Sequence, residues 1–155
     1  MNEFRGLWRG KCVDNGKWVK GQFVPSETNE GYKAYIVANA KWDNSDDGLD
    51  LLETDIYEVD SSTLGECTGL RDKNGTLIFE GDIIKTGNVR CFDDNDWKGN
   101  VGIVEWWNEP ASFIITNGTN IIYFLNHVSA DDCEVIDNIH DNLKHLIDGK
   151  EGNNG

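Results

Sequence analysis

A chain of 155 residues, 38% hydrophobic and 10% aromatic, can bury roughly two-thirds of its unfolded surface, so it needs neither metal nor disulfide to hold a core. It is too rich in aromatic residues for a disordered segment. Its net charge of −14 opposes duplex binding, which draws affinity from cations that displace counterions from phosphate. No apolar run approaches the length of a helical membrane span, the longest being Ile121 to Leu125.

The charge is uneven. Residues 1–40 hold six Lys/Arg against four Asp/Glu, residues 41–66 hold one against nine, and residues 101–155 hold two against nine. A basic N-terminal strip therefore precedes an acidic body. The opening MNEFRGLWRGK has no apolar h-region, so a cytoplasmic protein is expected. The thiols of Cys12, Cys67, Cys91 and Cys133 are then expected to stay reduced.

Turn chemistry sets the order of elements. Strands Arg9–Val13 and Lys17–Val24 flank Asn15-Gly16, a dipeptide suited to the positive φ angles of a type I′ hairpin. An acidic, glycine-containing loop follows, WDNSDDGLD, from Trp42 to Asp50. A composition change near Glu66 separates an N-terminal β lobe, residues 1–66, from a second lobe, residues 67–148. Asn74-Gly75 marks a turn, and five short strands follow: Asp82–Lys85, Val101–Trp107, Ser112–Thr116, Ile121–Leu125 and Glu134–Ile136. A polar loop, Thr86–Asn100, parts the first two, and Asn117-Gly118 joins the third to the fourth. Five short strands with a long first loop and tight later turns predict a small SH3-like barrel. Ile139, Leu143, Leu146 and Ile147 fall at helical spacing, predicting a short C-terminal helix over 138–147, capped by Asp137 or Asn138 and ended by Gly149. Residues 149–155 read as a tail. The fold class is mainly β.

Three blocks carry a resemblance. The opening FRGLWRGKCVDNGKWVKGQF, the central VDSSTLGECTGLRDKNGTLIFEGDIIK (Val59–Lys85) and the closing DCEVIDNIHDN resemble, in order and spacing, the signature of the YopX family of phage and prophage proteins. The resemblance implies a mainly β fold with an SH3-type barrel, encoded in a phage or prophage genome, and no catalytic residue to transfer. In the central block Gly69, Gly75 and Gly81 stand where β-connections call for positive φ. Asp137 stands where the family often has Gly.

Several motifs offer chemistry and fall short of it. Asp43, Ser45, Asp47 and Gly48 match the start of an EF-hand loop, but the closing Glu of that loop should fall at Thr54, and Glu53 is one residue short. A solvated acidic loop is the plainer reading. Cys133, His140 and His145 form the only local Cys/His group, and residues five apart point to different faces of a helix. A core cysteine and surface histidines are therefore expected, with no metal and no cofactor.

The tryptophans are the more suggestive feature. Trp106 and Trp107 are adjacent on one strand, so one should face the core and the other the surface. Trp97 lies beside Asp93, Asp94 and Asp96. Exposed rings next to carboxylates suit a basic, proline-rich peptide, whose preformed helix packs on aromatics while its cations meet the acids. The competing reading is that these rings fill a small core. The expectation is a non-enzymatic protein-interaction module, with an acidic decoy that imitates DNA as a variant. The alternative is a nucleic-acid-binding accessory protein using Arg5, Arg9, Lys11, Lys17 and Lys20 of the first hairpin.

Overall fold

A computed structural model of the chain describes residues 6–45, 48–87, 89–90, 96–97, 101–109, 111–117, 121–125 and 132–142. Backbone contacts divide the chain into two compact units, with the boundary between Cys67 and Thr68. Both units are built from antiparallel strands.

In the first unit, β1 (Trp8–Lys11), β2 (Trp18–Thr28), β3 (Gly31–Ser45) and β4 (Gly48–Val59) form a meander in the order β4-β3-β2-β1. The start of β5 (Gly65–Arg71) adds to β1, with Glu66 opposite Trp8. β2 changes partner along its length. Residues Trp18–Gly21 pair with β1, and Gln22–Thr28 pair with β3. The switch falls at Gly21, where a Cβ would sit 2.2 Å from the Val37 carbonyl oxygen, so only glycine lets the two backbones approach.

β2 also runs four residues past the predicted Val24, through Pro25. Beyond Gly21 it has, among the described residues, a neighbour on one side only, where a missing proline N–H on the open side costs no ladder bond. The far end of β4 bends back to β1 through a bridge between Cys12 and Val59. The Val13 N–H reaches the Glu58 carbonyl at 3.0 Å and the Asp60 N–H the Lys11 carbonyl at 2.9 Å. The concave face of this curled sheet buries Ala34, Ile36 and Val59 beneath Trp8, Val19, Phe23, Tyr57 and Leu64.

The acidic stretch is not a loop. Asp43 pairs with Asp50 and Ser45 with Gly48 across the β3–β4 ladder, so Trp42–Ser45 and Gly48–Asp50 lie at the end of a long ribbon. Two register shifts, between Ala38 and Lys41 and between Lys41 and Trp42, put one bulge in each strand, and Asn39 adopts φ +53° at the first. The reading as a loop failed because Asp, Asn, Ser and Gly signal turns, whereas pairing in a hairpin ladder overrides weak strand preference. The first hairpin turn also differs from type I′. Gly16 alone has positive φ, and Cys12 to Lys17 form a wider loop closed by Cys12 N–H to Lys17 oxygen and Gly16 N–H to Cys12 oxygen, each 2.9 Å.

In the second unit, the end of β5 and β6 (Leu77–Phe79) flank a tight turn. Gly75, at φ +79°, donates to the Asp72 carbonyl, a type I turn closed by a left-handed residue. Gly69 and Gly81 also have positive φ. A five-stranded sheet follows in the order β12-β11-β10-β7-β13, from β7 (Asp82–Thr86), β10 (Val101–Trp107), β11 (Ser112–Thr116), β12 (Ile121–Phe124) and β13 (Cys133–Asn138). Ile78, Ile84, Val104, Ile115, Leu125 and Cys133 make its buried cluster, with Phe113 and Val135 packed on it. Among the described residues this sheet is open and no ladder closes it into a barrel.

The polar loop Thr86–Asn100 contains a two-residue ladder, β8 (Val89–Arg90) with β9 (Asp96–Trp97). The turn at Gly118 lies outside the described residues, although the β11–β12 hairpin that it joins is formed. Where a helix was predicted from Asn138, that residue ends β13 instead. Its side-chain oxygen accepts from the His140 and Asp141 N–H groups, both 3.0 Å, while its carbonyl accepts from Asn142 at 3.1 Å. A capped turn therefore starts there, and residues 143–147 lie outside the described residues.

Candidate functional site

β7 pairs with β10 only along Val101–Ile103, so the strand's last residues run beyond the sheet's buried part and keep β11 as their one neighbour. Trp106 and Trp107 sit on this overhang, and both are exposed, at 43% and 42%. The expectation of one buried and one exposed ring fails because the packed cluster reaches along β10 only to Val104, so among the described residues nothing buries either face of the overhang. The Trp106 indole is nonetheless held. It stands edge-on against Phe113, its cross-strand partner, with ring centroids 5.0 Å apart, and its Nε1–H donates to Asn108 Oδ1 at 3.1 Å. Glu105 precedes it and Glu109 follows Asn108. Desolvation, reinforced by the charge of Glu80, pushes the Glu105 carboxyl above the usual carboxylate range. The overhang thus presents an oriented aromatic ring on one face, with Glu105 and Trp107 on the other.

The other residues singled out do not join it among the described residues. Asp96 and Trp97 lie in β9, opposite Arg90 and Val89. Asp93 and Asp94 lie outside the described residues. Asn108 and Phe113, which fix the Trp106 ring, are missed by sequence reading, and the signal for Phe113 was available in the register of a five-residue strand.

Chemical alternatives find little support. Extended backbone carries Asp43 and Ser45 along β3, whereas a calcium loop winds its ligands around one point. Cys133 is 2% exposed, in the core. Burial, with the charges of Asp72 and Asp132, pushes its thiol up, the wrong direction for a thiolate nucleophile. His140 lies in the turn after β13, and His145 lies outside the described residues. Among the described residues no three His, Cys, Asp or Glu side chains converge to hold a metal ion.

The basic hairpin is more coherent. Arg9 stands opposite Lys20 and Lys11 opposite Trp18, so these four share the convex face of the first sheet. The Arg9 guanidinium lies 4.8 Å and the Lys11 ammonium 5.4 Å from the Trp18 ring centroid. Lys17 falls in the adjoining loop, and Arg5 lies outside the described residues.

A family model described as YopX protein matches residues 8–146 of the chain. No curated protein matches it.

Proposed function

The chain belongs to the YopX family, and from that premise we propose a non-enzymatic interaction module, cytoplasmic and encoded by a phage or prophage, that engages a basic, extended peptide of a protein partner. One observation carries the reading: Trp106 is 43% exposed yet fixed in orientation by Phe113 and Asn108. A large ring left in water loses the free energy its burial would bring, and a ring held in place meets a ligand with little further loss of entropy. Glu109, which follows Asn108, suits a Lys or Arg side chain of the peptide, while Glu105 shares the opposite face of the strand with Trp107. The order β12-β11-β10-β7-β13, in which the last strand returns beside the first, supports reading this unit as an SH3-type barrel, where peptides lie across exposed aromatics.

The test is a titration of basic proline-rich peptides followed by tryptophan fluorescence. Binding should be lost in Trp106→Ala and kept in Trp107→Ala, with circular dichroism unchanged in both. Binding that survives Trp106→Ala would overturn the reading. A second reading, nucleic-acid binding, is favoured by Lys11 and Lys20 sharing one face with Trp18, the Arg9 beside them being buried. It requires affinity for single strands that falls steeply with salt. The acidic decoy variant requires instead salt-sensitive affinity for basic DNA-binding proteins, with no peptide preference.

A further inference from the structure

Glu105 holds an unfavourable position. The Gly81 N–H donates to the Val104 carbonyl at 2.8 Å, which brings Glu80, the residue before Gly81, beside Glu105, the residue after Val104. On the other flank Glu105 stands opposite Ile114 of β11, which is 4% exposed. Desolvation and then the like charge of Glu80 disfavour the ionised form, so the carboxyl stays above its usual range. Among the described residues no cation pairs with Glu105. Like charges set across neighbouring strands cost stability. A local rule broken without compensation is characteristic of functional sites.

Trp107 stands two residues further along, on the same face of the strand. Its cross-strand neighbour is Ser112, too small to cover an indole. The ring is 42% exposed and, among the described residues, has neither a ring partner nor a hydrogen bond. Trp106, on the other face, has both, in Phe113 and Asn108. Residues two apart on a strand are separated by roughly 7 Å. A guanidinium spans that gap by lying on the indole while its edge N–H groups reach a carboxylate. We propose that Trp107, Glu105 and Glu80 receive an arginine side chain of a protein partner. A metal ion would use the carboxylates and leave the ring idle. The compact ammonium of lysine meets the ring or the acids, whereas the planar guanidinium meets both. Its arrival also relieves the repulsion between Glu80 and Glu105. The site faces away from Trp106, so it stands whether or not a peptide is held there.

The experiment follows the indole N–H signals of the full, isotopically labelled chain by NMR. N-acetylarginine amide is titrated at constant ionic strength, with N-acetyllysine amide as the comparison probe. The Trp107 signal, identified by its loss in Trp107→Phe, should shift and saturate in the millimolar range, the scale of one charged side chain. The lysine probe should bind severalfold more weakly. Glu105→Gln should weaken arginine binding roughly tenfold or more, the loss of one charge-assisted contact. The same substitution removes the repulsion with Glu80, so its urea midpoint should equal or exceed that of the unsubstituted chain. That separates a lost site from a lost fold. Arginine binding that persists in Glu105→Gln, equal binding of the two probes, or no saturable shift overturns the proposal. So does a lower urea midpoint in Glu105→Gln, which would show the carboxylate kept for stability.

Discussion

Three backbone N–H groups converge on one carboxylate at the turn of the central motif. Asp72 is buried, and its Oδ1 accepts from the N–H groups of Asn74 and Thr76 while Oδ2 accepts from that of Val135, each at 2.9 Å. Burial alone would raise its pKa, but these donors outweigh it and hold the carboxyl below the ordinary aspartate value. The side chain thereby ties the β5–β6 turn to β13, some sixty residues later. Asp72→Asn should cost about 1–3 kcal/mol at neutral pH, since an amide cannot accept all three bonds at one charge-assisted strength. A group with a lowered native pKa contributes stability above its unfolded pKa and loses it as pH falls through the native one. The gap between wild type and Asp72→Asn in urea melts should therefore narrow below about pH 4. A gap constant down to pH 2 would show that geometry, not charge, is what the variant removes.

At the scale of elements, legibility followed the strength of local signals. The strands of the second unit were readable because β-branched and aromatic runs lie between glycine-bearing turns, and β7, β10, β11 and β12 stand close to where those runs place them. The β3–β4 ribbon was not readable: among the described residues its distal half has no third strand, and its sequence is written in Asp, Asn and Gly rather than in apolar alternation. The exposed pair on β10 was half legible, because strand periodicity assigns faces but cannot tell where the neighbouring strand stops. Nor does sequence say that β2 changes partners. The glycine that permits it is one of 17. Gly21→Ala supplies the check, since a Cβ would meet the Val37 carbonyl group at 2.2 Å to oxygen and 2.8 Å to carbon, both backbone atoms. The expected loss is about 1–3 kcal/mol, as for overpacking in a core. Gly16→Ala, with nothing within 4 Å of its added methyl, is the control. Its cost should stay near the 1–2 kcal/mol of a left-handed residue alone. If Gly21→Ala is the milder of the two, the partner change in β2 is not where the backbones are tightest.

For the whole molecule the governing quantity is the net charge of −14, which makes the compact state repel itself. Against that stand ion pairs such as Lys33 with Glu58, Lys41 with Glu53 and Lys73 with Glu134, all solvent-accessible. Exposed pairs contribute little. Screening therefore removes more repulsion than attraction, because at roughly 0.1 M salt the Debye length of about 10 Å already cuts off distant like charges while contacting pairs survive. Thermal melts should show the midpoint rising as sodium chloride increases from low to moderate concentration, and a midpoint that falls over that range would show that the contacting pairs outweigh the distant repulsion.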